Sequence, residues 1–135
     1  MTYETIKMEI SSNPEYVSVI SLTTSGIANK VGFCIDDIED LKVAISEACT
    51  NAIKHSLDDK FIVIYSIIEN GLTIEVIDNG KGYDRNSVSE PNINDLKEGG
   101  MGLFIIESLM DEVTVESQEG KGTSIKMTKY LGVDM

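Results

Sequence analysis

The sequence predicts a small α/β protein of one domain, spanning residues 1–135, with five strands and three helices. A length of 135 residues suits one domain with one core. Hydrophobic residues make up 41% of the chain and charged residues 25%, the balance of an ordinary globular protein. Segments with apolar residues at every second position, typical of strands, are interspersed with segments of helical spacing.

The first half of the chain combines a strand with two helices. Residues 3–11 alternate and predict a leading strand. Ser12-Asn13-Pro14-Glu15 then opens a helix, with an asparagine cap and a proline at the first helical position, and Gly32 closes it. The buried face of this helix is predicted to comprise Val17, Ile20, Thr24, Ile27, Ala28 and Val31. A second helix begins at Asp36-Asp37-Ile38-Glu39, a sequence similar to a capping box, and runs to about Ser56.

The second half contains the remaining strands and one short helix. The predicted elements are strands near 61–69 and 72–78 joined by the turn Asn70-Gly71, a helix from Gly102 to about Met110, and strands near 113–118 and 123–130. A polar stretch from Asn79 to Gly100 separates the strand near 72–78 from the helix that begins at Gly102. So long a stretch without periodicity is uncommon in a compact domain, and it predicts either a lid or binding loop or a plain surface loop.

The net charge restricts the ligands that the protein can bind. The formal charge is -12, and Arg85 is the only arginine. Such a surface repels nucleic acid, so direct DNA or RNA binding is not expected. A nucleoside triphosphate would also be repelled unless a divalent cation and backbone donors offset the field. Binding of ATP should therefore require magnesium.

Several observations predict a cytoplasmic protein without a membrane segment. The apolar stretches are too short to span a bilayer, and Met1–Ile10 is polar and charged, unlike a secretory leader. Cys34 and Cys49 are the only cysteines and show no CxxC spacing, which predicts reduced core thiols and neither a zinc site nor a disulfide.

The second helix carries a polar row beside its apolar face. Glu47, Asn51 and His55 follow one another at intervals of four residues, so they lie on one side of the helix. A carboxylate at the rim of the core can act as a base, and an asparagine oxygen is a hard ligand suited to magnesium. His55 is interpreted as a residue at the rim of the core, or as one that contacts the ligand-binding residues and not the ligand itself. The alternative is a solvated polar edge without a ligand.

Three glycine-rich segments follow. Asp78-Asn79-Gly80-Lys81-Gly82 comes directly after an apolar strand, where the aspartate could accept a hydrogen bond from the adenine amine, or the segment could be a plain turn. Gly99-Gly100-Met101-Gly102-Leu103 opens a helix, and its free backbone N–H groups could hold phosphate oxygens. Gly120-Lys121-Gly122-Thr123 enters the last strand, either as a hairpin turn or with Thr123 as a hydroxyl near a base.

Taken together, the order and spacing of these motifs resemble those of a known ATPase superfamily. Glu47-Ala48-Cys49-Thr50-Asn51-Ala52-Ile53-Lys54-His55 resembles the N box shared by gyrase, MutL-type repair proteins and histidine kinases, the superfamily with the Bergerat (GHKL) fold. The three glycine-rich segments resemble, in order, the first, second and last glycine boxes of this superfamily.

Within the superfamily the chain most resembles the anti-sigma serine-protein kinases of Gram-positive bacteria, of the general-stress (sigma-B) type. The resemblance extends from about residue 3 to 131. It is carried by Asn13-Pro14-Glu15-Tyr16-Val17, by residues 36–42 and 46–52, by Glu107-Ser108-Leu109-Met110-Asp111-Glu112-Val113 and by Met127-Thr128-Lys129-Tyr130-Leu131.

This resemblance implies a fold, a reaction and partners. The fold is a two-layer α/β sandwich, with helices on one face of a mixed, mostly antiparallel sheet. The cofactors implied are ATP or ADP with Mg²⁺, and the partners are a sigma factor, an anti-anti-sigma protein of the STAS type that is phosphorylated on serine, and a second copy in a homodimer. The implied site comprises Asn51 for magnesium, Asp78 for the adenine amine, Gly80, Gly82 and Thr123 around the base, and Gly100 and Gly102 at the phosphates, with residues 85–97 as the lid.

Two functions remain open on the sequence. A serine hydroxyl needs a base to become a good nucleophile, and Glu47 is placed to provide one, which favours a kinase. The alternative is a nucleotide-dependent anti-sigma binding module without significant kinase activity. A detached histidine-kinase domain is disfavoured because no phosphoacceptor helix and no phenylalanine-rich motif before the lid are present. One departure from the family is Ser21, where an arginine often contacts both partners.

Overall fold

The computed structural model describes residues 2–79, 101–118 and 122–132. Its elements are strand β1 (Thr2–Ser11), a 3-10 turn (Pro14–Tyr16), helix α1 (Val17–Val31), helix α2 (Ile35–His55), strands β2 (Lys60–Ile68) and β3 (Gly71–Asp78), helix α3 (Met101–Leu109), and strands β4 (Glu112–Gln118) and β5 (Gly122–Tyr130). The element order is the predicted one. Gly80, Gly82, Gly100 and the predicted lid at 85–97 lie outside the described residues.

The strands form one sheet in the order β1-β2-β3-β5-β4. All four pairings between these strands are antiparallel. The sheet is thus antiparallel throughout the described strands, where the resemblance implied a mixed sheet. The two-layer class itself is confirmed, because the three helices pack together against this sheet.

The core lies between the sheet and the helices. Paired residues of neighbouring strands share a face, so one face is made of alternate residues that are almost completely buried. These include Val63, Tyr65, Ile74, Val76 and Met127. Helix α2 contributes the largest apolar stripe to the same core, with Leu41, Ala44, Ile45, Ala48, Cys49 and Ala52. The opposite face includes Ile62, Ile64 and Ile77, which are only half-buried.

The ends of the first two helices show which capping predictions hold. The side chain of Asn13 accepts a hydrogen bond of 3.0 Å from the Glu15 amide, but it caps the 3-10 turn before α1, whose own N-cap is Tyr16 and makes no side-chain cap. Gly32 closes α1 with a φ of 111°, as predicted. The capping box predicted for α2 is wrong. The N-cap of α2 is Cys34, which makes no side-chain cap, while Asp36 and Asp37 lie inside the first turn. Their carboxylates act there on the positive end of the helix dipole.

The hairpin between β2 and β3 is shifted by one residue from its predicted position. Its two loop residues are Glu69 and Asn70, and Gly71 is already the first residue of β3, paired with Ile68. A Cβ atom on Gly71 would collide with the backbone carbonyl of Lys129 in β5. The glycine is therefore required by the close approach of two strands and not by the turn.

The two cysteines occupy different environments. Cys49 is buried in α2, and burial raises the pKa of its thiol to about 12. Cys34 is exposed, so the prediction of a core thiol is wrong for this residue. The reason is its place at the N-cap of α2, outside the apolar stripe. None of the helices in the described part of the chain has the length and apolar character needed to span a bilayer.

Candidate functional site

The polar row predicted on α2 lies at the edge of the core. Glu47 and Asn51 are half-buried, and they flank Ala48 and Ala52, which are buried completely or nearly so. His55 is exposed at the last position of the helix. The helix therefore holds a carboxylate and an amide one turn apart at the boundary between core and solvent, with the histidine at its far end.

The start of α3 lies against the carboxylate of Glu47. A Cβ atom built on Gly102 would stand 3.0 Å from Glu47 Oε2, closer than side chains normally approach. The residue is half-exposed. Gly102 thus leaves room for the carboxylate at the first turn of the helix, whose backbone N–H groups have no partners within the helix. The structure brings Glu47 and Gly102 together, as a shared site would require.

Asp78 and Thr123 form a second group, at the ends of two neighbouring strands. Asp78 is the last residue of β3 and is paired with Thr123 of β5. Both residues are buried, with 5% and 8% of their surface exposed. The Thr123 hydroxyl shares a hydrogen bond of 2.9 Å with Ser117 Oγ of β4. A buried carboxylate can accept a hydrogen bond from an amine. A hydroxyl whose orientation is fixed by a neighbour can bind an adjacent ring nitrogen.

Two residues of this second group were missed by reasoning on the sequence. Gly122 has a φ of 88°, and a Cβ atom there would collide with the Asp78 carbonyl, so only glycine lets β5 approach the end of β3. The Gly-x-Gly spacing gave a signal for it, which was interpreted as a turn. Ser117, the partner of Thr123, gave no signal, because a serine in a strand is ordinary.

The two groups are connected through α2, which packs on β3, the strand that ends in Asp78. Asn79 follows directly and donates a hydrogen bond of 2.8 Å to Asp58 Oδ2, which fixes the chain as it leaves β3. The predicted glycines Gly80, Gly82 and Gly100 fall outside the described residues, so their placement stays a prediction.

The described residues would give a metal ion few ligands. Across residues 2–79, 101–118 and 122–132, no three histidine, cysteine, aspartate or glutamate side chains come together as a metal cage. Asn51, half-buried one turn from Glu47, offers an amide oxygen at the edge of the core.

Comparison with known proteins places this chain in a family. The sequence profile of the histidine kinase-like ATPase domain matches residues 10–129. A serine-protein kinase RsbW from Bacillus velezensis is 41% identical over 138 residues, which cover 93% of this chain and 85% of that protein. A serine-protein kinase RsbW from Bacillus thuringiensis is 40% identical over 141 residues, which cover 96% and 86%.

Solved structures show the same fold at lower identity. A structure of the RsbU and RsbW domains of a Mycobacterium tuberculosis protein is 19% identical with a TM-score of 0.74, and the match covers 98% of this chain and 34% of that one. The histidine kinase domain of a blue-light activated kinase from Erythrobacter litoralis is 19% identical with a TM-score of 0.57, covering 90% and 62%. These structures show the fold, and the profile match over residues 10–129 defines the class of protein, a histidine kinase-like ATPase domain.

The two relatives narrow this class further. The chain belongs to the histidine kinase-like ATPase family and, within it, to the serine-protein kinases named RsbW. The resemblance drawn from the motifs is confirmed at the level of the family. As a member, the chain is a protein kinase that uses ATP.

Proposed function

We propose that this protein transfers the γ-phosphate of Mg-ATP to a serine of an anti-anti-sigma protein in the cytoplasm, and that it holds a sigma factor inactive when that protein is unavailable. Membership of the RsbW family supports the kinase. The observation that carries the proposal is the position of Glu47, with its carboxylate against the first turn of α3 and one helical turn from Asn51. A base next to a phosphate-binding helix end is what serine phosphorylation requires.

The nucleotide would be held at both ends. Asp78, buried at the end of β3, accepts a hydrogen bond from the adenine amine, and Thr123 contacts the base with its hydroxyl oriented by Ser117. The backbone at Gly102 faces the phosphates. Gly80, Gly82 and Gly100 lie outside the described residues, and the family resemblance assigns them to the same pocket. The close approach of Gly102 to Glu47 supports a transferred phosphoryl group on the side of the pocket where Glu47 lies.

The chemistry is divided among few residues. Glu47 takes the proton of the substrate serine as the hydroxyl attacks the γ-phosphorus, and ADP leaves. The backbone N–H groups at the start of α3 hold the phosphate oxygens. Asn51 would hold magnesium, which would neutralise part of the phosphate charge. This acidic protein needs such neutralisation because its formal charge is -12. The half-buried position of Glu47 limits the water that competes for the carboxylate.

Intact-mass measurement tests the kinase directly. Purified protein is mixed with ATP, magnesium and the candidate anti-anti-sigma protein from the same genome. One added phosphate on the candidate is expected, and chelation of magnesium should abolish both the transfer and tight ATP binding. If ATP binds and the complex forms but no phosphate is added, the nucleotide-dependent binding module is the correct function. Equal ATP affinity in chelator would refute the role given to magnesium.

We also propose that the protein forms a homodimer, as the family resemblance implies. The half-buried isoleucines Ile62, Ile64 and Ile77 on the face of the sheet opposite the helices supply an apolar surface that a second copy could cover. Sedimentation velocity at micromolar concentrations should show twice the mass of the chain, which is 14.8 kDa. A single species at the monomer mass would contradict the dimer.

A further inference from the structure

Lys129 is a buried lysine whose position the proposed reaction does not explain. It is the second-to-last residue of β5, pairs with Leu72, and points to the side of the sheet that the helices cover. Only 10% of its side chain is exposed. Lysine is seldom buried unless its charge is paired, so its partners indicate what it does.

The ammonium group joins the ends of two helices. Lys129 Nζ donates a hydrogen bond of 2.8 Å to the backbone carbonyl of Leu109, the last residue of α3. It also lies 3.9 Å from Asp37 Oδ1, in the first turn of α2. A carbonyl at a helix C-terminus has no partner in its own helix, and a cation is favourable there. Lys129 therefore fastens the C-terminal end of α3 to the N-terminal end of α2.

The N-terminal end of α3 meets the middle of α2 at the candidate active site. Gly102, in the first turn of α3, lies against Glu47 of α2. From Asp37 to Glu47, α2 rises about 15 Å, and from Gly102 to Leu109, α3 rises about 10 Å, at 1.5 Å per residue. The two helices thus pack antiparallel, joined by Lys129 at one point and in close approach at Glu47 at the other.

We propose that Lys129 is a positioning residue for the phosphate side of the nucleotide site. By holding the C-terminal end of α3, it sets how far the helix lies along α2 and so where the N-terminal turn of α3 stands relative to Glu47. The two residues that link α3 to β4, Met110 and Asp111, are also held to β5, because the Asp111 amide donates a hydrogen bond of 3.0 Å to the Thr128 carbonyl and Asp111 Oδ2 accepts one of 2.7 Å from the Tyr130 amide. The Lys129 bond adds the attachment that reaches the last carbonyl of the helix itself. This inference rests on the proposed function, since it assigns the start of α3 to the phosphates.

The test compares nucleotides that differ in their phosphates. Affinities of wild type and Lys129→Met for ATP and AMP are measured by competition, and transfer to the anti-anti-sigma protein is measured at saturating ATP. Lys129→Met should lower the ratio of ATP to AMP affinity about fivefold to tenfold and slow transfer by a similar factor, while AMP affinity stays within twofold. Lys42→Met is the matched control, because it removes the same charge and an ion pair with Glu39 on α2. Its ratio should be unchanged.

The outcomes separate this inference from the proposed function. A wild-type protein that does not phosphorylate the candidate would refute the function itself. If wild type transfers phosphate and folded Lys129→Met shows the wild-type ratio and rate, the positioning role is refuted. An equal loss of ATP and AMP affinity would also refute it, because that pattern signals a general loss of native protein. Should Lys129→Met not fold, Lys129→Gln, which is too short to bridge Leu109 and Asp37, is judged by the same ratio.

Discussion

A methyl group on Gly102 would stand only 3.0 Å from the carboxylate oxygen of Glu47, so the carboxylate would have to shift by a few tenths of an ångström. We expect Gly102→Ala to displace the carboxylate and to slow phosphoryl transfer about tenfold, a barrier increase of about 1.4 kcal/mol. Single-turnover transfer at saturating ATP is the measurement. Gly132→Ala is the control, since nothing lies within 4 Å of a Cβ atom there. A Gly102→Ala rate equal to that of the control would show that Glu47 is not displaced.

The cysteines should differ sharply in reactivity. Cys34 is exposed, whereas Cys49 is buried and burial raises the pKa of its thiol to about 12. Because the thiolate is the reactive form, an alkylating reagent at pH 7.5 should modify Cys34 alone. Mass spectrometry of the native protein should show one adduct, and protein unfolded in guanidinium should show two. Rapid labelling of Cys49 in the native state would contradict its burial.

For single residues, the sequence predicted the position on a helix or strand better than the contacts with other elements. The interval of four residues correctly placed Glu47 and Asn51 together beside the apolar stripe, because helical periodicity alone decides this. The contact between Glu47 and Gly102 joins residues far apart in the chain and depends on how α3 lies on α2. The same holds for the bond between Ser117 and Thr123, which is set by strand register.

Helix α1 is joined to the sheet by a buried polar contact. Thr24 donates a hydrogen bond of 2.8 Å to the Ile20 carbonyl, and its oxygen lies 2.7 Å from the Tyr65 hydroxyl in β2. Thr24→Val should lower the free energy of unfolding by about 1–2 kcal/mol, because the Tyr65 hydroxyl loses its close partner inside the core.

Urea unfolding of Thr24→Val, Tyr65→Phe and the double variant measures this contact. The double variant should lose less stability than the sum of the two single losses, since each substitution removes the same bond. The Lys30–Glu4 ion pair provides a surface comparison, because both side chains are more than half exposed. Lys30→Met should change the free energy of unfolding by less than about 1 kcal/mol. Strictly additive losses at Thr24 and Tyr65 would contradict the bond.

Element ends were predictable where a local rule fixed them. The Asn13 cap and the left-handed Gly32 follow from short-range chemistry, and both were predicted. Gly71 misled the prediction of the hairpin because it is required by the carbonyl of Lys129, a residue in a distant strand. Asp36 misled the prediction of the α2 start because an acid within the first turn has the same sequence signature as a capping residue.

The stability of the whole molecule should fall at high pH. Burial raises the pKa of Cys49 from 9.0 to about 12 and the pKa of Tyr65 from 10.0 to about 12. Both groups bind their protons more tightly in the folded state. Their contribution is therefore complete below about pH 9 and is lost as the pH rises toward 12, by at most about 1.4 kcal/mol per pH unit for each group.

Urea midpoints between pH 7 and 11 test this dependence. Wild type should lose stability above pH 9 more steeply than Cys49→Ala, whose thiol no longer titrates. Between pH 7 and 8 the stability difference between the two proteins should be constant. Parallel curves up to pH 11 would contradict the assignment to Cys49.

The fold of the whole chain could be predicted because strand alternation, helix periodicity and glycine-rich segments follow one another in a specific order. The antiparallel pairing of every described strand could not, since it depends on how the distant strand β5 enters between β3 and β4. The family could be predicted from the motifs, and the relatives at 40% and 41% identity confirm this prediction.

The most direct test of the account is the separation of binding from transfer at Glu47. Glu47→Gln keeps the size of the side chain but removes the base, so ATP affinity should stay within about threefold while phosphate transfer falls at least a hundredfold. Glu39→Gln, an exposed position on the same helix, is the control and should keep the wild-type rate. Both variants are mixed with Mg-ATP and the anti-anti-sigma protein, and the phosphate added is followed by intact mass. Transfer by Glu47→Gln at the wild-type rate would contradict the account, because the carboxylate against the start of α3 would then not be the base.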